Sequence, residues 1–493
     1  MTYTSTRSKD PISVTSAEAI KRGLAPDGGL YMPTEIPSLS TDEIRELIAL
    51  SYPERAAFIL GKYLTDYSYD ELIADCNAAY GEDRFPGGAA PLADIDSAVT
   101  SLELWHGPTC AFKDMALQIM PRLLSRALKK TGEKRTAMIL VATSGDTGKA
   151  ALEGYRDVEQ TKIKVFYPVD GVSRVQKLQM MTQLGENVDV CAIKGNFDDA
   201  QTGVKKIFAS DKISAELDAK GVFLSSANSI NWGRLVPQIV YYVSAYCDMV
   251  ASGKITLGEE IDVTVPTGNF GNILAAYLAK RMGLPICRLV CASNVNHVLT
   301  DFLASGVYDR NRPFHATISP SMDILISSNL ERLLYLAFGA ERCSALMKEL
   351  NETGRYALTE DELKVISADF VGYFCDEEAT RVAIRHAWRD HRYLCDTHTA
   401  VGYGAALSYI KDERGDRPVL LASTASPYKF ACDVYEALFE KAATSDLDAL
   451  DELARETSTE IPAPLSGIGS RTVRFTEVIV PDDMPQATLS FAE

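Results

Sequence analysis

Three pieces of this chain carry residues suited to chemistry. Lys113 lies in His106-Gly-Pro-Thr-Cys-Ala-Phe-Lys113-Asp114. Two glycine-rich turns, Ser144-Gly145-Asp146-Thr147-Gly148 and Thr267-Gly268-Asn269-Phe270-Gly271-Asn272, each follow a short strand-like run and precede a helical pattern. Such a turn builds an anion site from backbone N–H groups and a helix N-terminus. A lysine buried between two of them suits an imine to an aldehyde cofactor. Lys113 follows Ala111-Phe112 and precedes the apolar run Met115–Met120, a setting that disfavours its ammonium form. The alternative is a lysine snorkelling from a helix start beside Asp114.

Each turn supports two readings. The glycines of Gly268–Asn272 allow positive φ and close approach of an anion. With no P-loop lysine or hydroxyl, the turn suits a terminal monophosphate; otherwise it only ends a strand. The hydroxyls and N–H groups of Ser144, Gly145, Asp146 and Thr147 suit a carboxylate, or merely cap a helix. Asn228-Ser-Ile-Asn231-Trp-Gly-Arg234 offers amides and a guanidinium for a second phosphate or carboxylate, or a cap and a surface arginine. Lys149 is a further cation near a helix start. Thr424, in Ser423-Thr424-Ala-Ser426-Pro-Tyr-Lys429 behind an apolar strand, could meet a pyridine nitrogen or form a serine-rich turn. The six histidines form no HxH or HExxH pair, so no metal site is expected.

The elements that must position these residues alternate. Ala137–Ala142, Lys162–Tyr167, Val188–Ile193, Ile261–Val265, Ile286–Cys291 and Pro418–Ser423 are nearly continuous apolar strands, and helical patterns cover 147–156, 175–184 and 273–282. That is the signature of mostly parallel sheets covered on both faces, an α/β fold. Residues 15–80 read as helical, with a capped start at Ser40, and 325–390 as a charged helical insertion. Residues 455–475 read as a surface excursion, and 472–480 as a last, edge strand. At 493 residues the chain exceeds one core. The net charge of −17, from 50 basic and 67 acidic residues, argues against a duplex nucleic-acid partner. Ten cysteines without a CxxC pair suggest a reducing compartment. The start of the chain has no signal-peptide core, and the apolar stretch 235–250 is broken by Pro237, Gln238 and Asp248, so no membrane is expected.

Together, His106–Asp114, Thr143–Gly148, Gly268–Asn272, Asn231-Trp-Gly-Arg234, Ser319-Pro-Ser-Met-Asp323 and Ser328-Asn-Leu-Glu-Arg332 resemble the threonine synthases of the long, microbial and fungal type. The resemblance spans nearly the whole chain. It implies a pyridoxal 5'-phosphate enzyme of fold type II, the tryptophan synthase β-like group, with two α/β domains of mostly parallel sheet and an N-terminal helical segment. Residues 1–95 would form the helical domain, and 96–135 with 255–435 the large cofactor-binding domain. Residues 136–254 would form the smaller domain and 436–493 a C-terminal extension.

The resemblance implies Lys113 as the Schiff-base lysine, Gly268, Asn269, Phe270, Gly271 and Asn272 as the cofactor phosphate cup, and Thr424 as partner of the pyridine nitrogen. Ser144, Gly145, Asp146, Thr147, Lys149, Asn231 and Arg234 would meet substrate. The implied reaction is that of a carbon–oxygen lyase, converting O-phospho-L-homoserine and water into L-threonine and phosphate. It implies a cytoplasmic biosynthetic enzyme, a monomer or small homo-oligomer. Two rivals stand: a serine/threonine dehydratase, which needs no substrate-phosphate site, and a non-catalytic phosphate- or nucleotide-binding module. A second basic anion site near Arg234 or Lys149 separates the first rival.

Overall fold

The computed structural model describes residues 1–9, 13–143, 145–413 and 416–493. Two parallel sheets organise it. The larger runs Phe370–Phe374, Ile286–Ser293, Ile261–Pro266, Val419–Ser423, Val99–Glu103, Leu92–Asp94 from edge to edge, parallel throughout except for the last pair. The smaller runs Val478–Ile479, Val188–Ile193, Thr161–Pro168, Thr136–Ala142, Val222–Ser225, all parallel. Strands Ile261–Pro266 and Val419–Ser423 are buried at every position. This is why they read as unbroken apolar runs rather than as alternations.

The site-bearing segments leave the carboxyl ends of these strands. Helix Asp146–Tyr155 follows the interior strand Thr136–Ala142 of the smaller sheet, and helix Gly271–Met282 follows Ile261–Pro266. The carboxyl edge is where parallel sheets present helix N-termini, and hence where ligands bind.

The N-terminal region forms helices Ser16–Arg22, Thr41–Ile48, Tyr52–Tyr63 and Tyr69–Tyr80 with a two-stranded ribbon, Tyr3–Ser5 against Tyr31–Pro33. Ser40 caps its helix in a reciprocal box with Glu43, as its sequence predicts. Helix Trp232–Ala251 packs against these N-terminal helices and against Gly271–Met282, away from the smaller sheet. Its first residue, Trp232, is sealed between Tyr3 and Tyr63, with both ring centroids 5.6 Å away.

Three stretches differ from their sequence pattern. The stretch 325–390 holds helices Leu330–Thr353, Glu360–Ser367 and Glu377–His391, but also the edge strand Phe370–Phe374 of the larger sheet. The C-terminal stretch supplies the other sheet's edge strand and a helix, Met484–Phe491, whose Met484 is buried in that sheet's core. The strand expected over 472–480 narrows to Val478–Ile479. All ten cysteines are free thiols, eight of them buried. No helix among the described residues is long and apolar enough to cross a membrane.

Arg332 ties these parts together. Fully buried, it donates from Nε and Nη2 to the Tyr31 carbonyl (3.2 and 3.0 Å), from Nη2 to Ile230 O (2.6 Å), and from Nη1 to the Asn329 amide oxygen. Burial lowers its pKa to about 9. Arg332→Met should therefore strand several buried acceptors and lower stability by about 3 kcal/mol or more. A thermal melt would register this, and a melting temperature within about a degree of the parent's would show that the tie is dispensable.

Candidate active site

Lys113 is the meeting point. Its loop is closed by Asp114, whose carboxylate accepts from Thr109 N and Thr109 Oγ1, both at 2.8 Å. Burial pushes the Asp114 carboxyl up to about 6. Asp114 is thus spent on the loop and does not pair with Lys113, which removes the snorkelling alternative. Beside the loop runs the end of strand Val419–Ser423: Phe112 N donates to Thr424 O (2.8 Å), Ser426 N to Cys110 O (3.0 Å), and Ala111 bridges Ala425.

Lys113 is 8% exposed. Its Nζ lies 3.4 Å from Asp146 Oδ2 and 3.2 Å from Ser321 Oγ. Burial lowers its proton affinity; Asp146 opposes this, while Lys429 and Arg234 add to it. An amine so placed spends more time unprotonated than a surface lysine and is the better nucleophile and base.

Two contacts bring the turns to this lysine. Asp146 opens helix Asp146–Tyr155 and carries that turn directly to Nζ. Ser321, in the short turn Pro320–Met322, joins the other: a Cβ on Gly268 would lie 2.6 Å from the Ser321 carbonyl oxygen. Ser321 is fixed in turn by its N–H donating to His398 Nε2 (3.1 Å), while His398 Nδ1 meets Asp396 Oδ2 at 2.7 Å. Because Nε2 accepts, the proton sits on Nδ1 and is given to Asp396.

In the Gly268–Asn272 turn the carbonyls are used and the N–H groups are not. Ser327 Oγ donates to Gly268 O (2.7 Å), and Asn329 donates to Asn269 O through its N–H (3.0 Å) and its amide (3.1 Å). The N–H groups of Gly268, Asn269, Phe270 and Gly271 meet no acceptor among the described residues. Asn272 accepts from the hydroxyls of Tyr241 (2.6 Å) and Tyr242 (2.5 Å), and its buried amide nitrogen is unpartnered. The positive φ falls on Phe270 (62°) and on neither glycine. Glycine is required at 268 for close approach, not for backbone freedom, which corrects the sequence expectation.

At the second turn Gly145 does take positive φ, 143°, and lets Gln176 press against it. Thr143 Oγ1 accepts from Gly145 N (3.0 Å) and Gly148 N (2.9 Å), bracing the bend. The N–H groups of Asp146 and Thr147 open the helix and have no intrahelical partner. Thr147 is half-buried, its hydroxyl unengaged. Ser144 lies outside the described residues. Asp146 is held ionised well below the usual carboxylate range: burial opposes this, and Lys429 and Lys113 override it.

Two expected ligands are otherwise employed. The Lys149 ammonium pairs with Glu153 four residues on (3.2 Å) and donates to the Gln183 amide oxygen. Asn231 caps helix Trp232–Ala251 by accepting from Gly233 N (2.9 Å), and gives its amide hydrogens to Ile20 O and Ser226 O (3.0 and 3.4 Å). Both side chains are thus committed first to this chain, with one of the three Lys149 ammonium donors left over. Arg234 is the opposite case. It is 4% exposed, donates from Nη1 to Ala227 O (2.9 Å), keeps an unpartnered Nε, and has no carboxylate partner among the described residues. Burial draws its pKa down to about 10.

Thr424 is buried, its N–H is held by Thr399 Oγ1 (3.3 Å), and its hydroxyl is unengaged. A buried amine, a run of open N–H donors and this hydroxyl fit pyridoxal phosphate in chemistry: an aldehyde, a phosphate and a ring nitrogen. No group of His, Cys, Asp and Glu that could hold a metal occurs among the described residues. Sequence reasoning missed Ser321, Gln176 and Lys429 as site residues. Ser321 and Lys429 stand in segments the sequence singles out, but their partners lie in loops and helix starts far along the chain.

Known proteins carry the same organisation. The family described as "Threonine synthase N terminus" matches residues 2–80, "Pyridoxal-phosphate dependent enzyme" matches 99–424, and "Threonine synthase, C-terminal" matches 399–484. "Threonine synthase-like 1" of Homo sapiens is 41% identical over 86% of this chain, which spans 58% of that relative's length. Threonine synthase of Pseudomonas aeruginosa is 36% identical over 95% of this chain and 97% of its own. The crystal structure of PLP-bound threonine synthase from Brucella melitensis superposes with a TM-score of 0.88, at 35% identity, over the full length of both chains.

The two glycines of the cup should respond differently to a methyl group. At Gly268 the Cβ would strike a backbone oxygen at 2.6 Å; at Gly271 its nearest neighbour would be the Asn329 amide nitrogen, at 3.4 Å. Gly268→Ala should weaken cofactor binding about tenfold or more, and Gly271→Ala much less. Spectroscopic titration with pyridoxal phosphate measures both, and equal losses would refute the distinction.

Proposed function

Because the chain belongs to the threonine synthase family of pyridoxal-phosphate-dependent enzymes, we propose that it converts O-phospho-L-homoserine and water into L-threonine and phosphate. The observation that carries this reading is Arg234. A buried guanidinium without a carboxylate partner is expensive unless an anion joins it. On this reading it is a second place for phosphate beside the open turn at 268–272, supplied by a different helix. A serine/threonine dehydratase needs only one.

Residues 268–272 would hold the cofactor phosphate through their N–H groups, Lys113 its aldehyde carbon, and Thr424 its ring nitrogen. When bound, pyridoxal phosphate supplies an electron-withdrawing ring that lets protons leave carbons α and β to the substrate amino group. A hydroxyl rather than a carboxylate at the ring nitrogen leaves that nitrogen neutral and moderates the effect.

The rest is the work of this chain's side chains. The N–H groups of Asp146 and Thr147 receive the substrate carboxylate at the helix start. Arg234 clamps two oxygens of the substrate phosphate with its planar fork and steadies the leaving group. The Lys113 amine is the base placed to move the protons: Cα and Cβ each give one up, Cγ gains one as it becomes the methyl group, and Cα regains one after water has added at Cβ, while the released phosphate takes the remaining proton of that water. The lowered proton affinity of Lys113 suits both directions of transfer. Burial of Lys113 and Arg234 keeps bulk water from the amine and strengthens every charge contact inside.

Phosphate and threonine released in equal amounts from O-phosphohomoserine is the expected result; phosphate released with a keto acid and no threonine would overturn the assignment. Lys113→Ala should abolish turnover and the borohydride-reducible cofactor adduct, and mass spectrometry should place the parent's adduct on Lys113. An adduct on another lysine would move the reaction elsewhere. Arg234→Ala should lose about 10²-fold or more in kcat/KM for O-phosphohomoserine and keep its cofactor. If homoserine binding falls equally, Arg234 does not hold the phosphate; if cofactor affinity falls instead, it belongs to the cup.

A further inference from the structure

One buried cation has no part in either anion site. Lys429 stands in the turn Pro427–Phe430 behind strand Val419–Ser423, and its ammonium is wholly enclosed. Nζ lies 2.7 Å from Asp146 Oδ1 and donates to Thr109 O at 2.9 Å. Gln176 Nε2 gives Asp146 Oδ1 a second hydrogen bond at 2.9 Å. Two donors therefore hold Oδ1, and Oδ2 is the oxygen left facing Lys113 Nζ at 3.4 Å.

Here a single carboxylate lies between two ammonium groups from different parts of the chain, and the pair it makes with Lys429 is shorter than the one with Lys113. Thr109 also belongs to the loop whose far end is Lys113, since Asp114 closes that loop onto Thr109. Lys429 thus grips both the loop that carries the reactive amine and the carboxylate facing it.

We propose that Lys429 is a positioning residue for Lys113 that acts through the charge of Asp146: it clamps Asp146 through Oδ1 and Thr109 through its carbonyl and takes up part of the Asp146 charge, so that Oδ2 at the Lys113 nitrogen holds the Lys113 proton less firmly than an unshared carboxylate would. This rests on Lys113 being the lysine that reacts. When Lys113 exchanges its proton, Asp146 does not follow, because Lys429 supplies a second counter-charge at Oδ1. The groups facing Lys113 are Asp146 from helix Asp146–Tyr155, Lys429 from the turn behind the strand, and Arg234 from helix Trp232–Ala251. Those facing Asp146 are Lys429, Lys113 and His398. Only Asp146 is negative. Removing it should make the ammonium harder to keep, and removing Lys429 should make it easier.

The test reads sign. Holoenzymes of the parent, K429M, K429R, D146N and K429M/D146N are titrated with pH, following both the visible absorbance of the lysine-linked cofactor and kcat/KM. D146N should move the midpoint down by about one to three pH units. K429M should move it up by about one unit. K429R should stay near the parent, and the double variant should fall between the single ones. Equal midpoints in the parent, K429M and D146N overturn the proposal, as do shifts of the same sign in both variants. If K429M does not fold, D146N and K429R decide: an unmoved D146N midpoint, or a K429R midpoint displaced as far as D146N, overturns it. The identity of the reacting lysine is read separately, by mapping the reduced adduct in each variant. An adduct away from Lys113 defeats the functional reading rather than the positioning role.

Discussion

A carboxylate buried between two lysines is the constraint on which this site depends. Asp146 reaches Lys113 on one side and Lys429 on the other, with Gln176 as a third donor. No local stretch of chain could assemble this. Asp146 comes from the start of a helix on the smaller sheet, Lys113 from the loop following strand Val99–Glu103, and Lys429 from the turn following Val419–Ser423. The two strands pair in parallel, so the loop and the turn leave at the same edge and lie side by side. The carboxylate then joins that edge to the smaller sheet. Separating the sheets there would expose two ammonium groups to one another without their shared counter-ion.

Arg234 depends on a second scaffold. Its helix begins with an asparagine cap whose amide also holds Ile20 O, and with a tryptophan sealed by Tyr3 and Tyr63. Arg332 closes the same corner by binding Tyr31 O and Ile230 O at once. The N-terminal region therefore does more than cover a core. It fixes the first turn of the helix that carries the buried guanidinium. A buried arginine without a carboxylate partner among the described residues needs such support, because a flexible one would turn toward solvent or toward the nearest carboxylate.

Much of this was legible in the sequence, for a physical reason. Strands buried on both faces must be apolar throughout, and turns that bring backbone to an anion must be glycine-rich; both leave marks at fixed spacing. Lys149 shows where spacing was available but underused: Glu153 lies four residues on, the separation at which helical neighbours pair. Asn231 likewise stands directly before its helix, where an asparagine most often caps. The Phe270 conformation left no mark, because a non-glycine residue at positive φ is held by its surroundings rather than by its own preference. Lys429 and Ser321 were hidden for another reason. Their side chains are ordinary, and their role lies in partners far along the chain. Strand Phe370–Phe374 was hidden by its place at a sheet edge among charged helices, where it is mostly half-buried and lacks the apolar run of a central strand.

The charge of the site runs against that of the chain. The whole protein carries −17, yet the groups around Lys113 include two further buried cations, Lys429 and Arg234, and one ionised carboxylate. At physiological ionic strength the field of surface charges fades over about 8 Å, so the acidic exterior neither helps nor strongly hinders a dianion that has reached the mouth of the site. Inside, screening is weak and the local imbalance governs. Asp146 cannot cancel it, because its single charge is already divided between Lys113 and Lys429. Arg234 remains uncompensated until an anion arrives. On the proposed reading, that imbalance also makes the site selective. A ligand bringing a carboxylate and a phosphate would satisfy both the helix start and the guanidinium, whereas one lacking the phosphate would leave the guanidinium buried and alone.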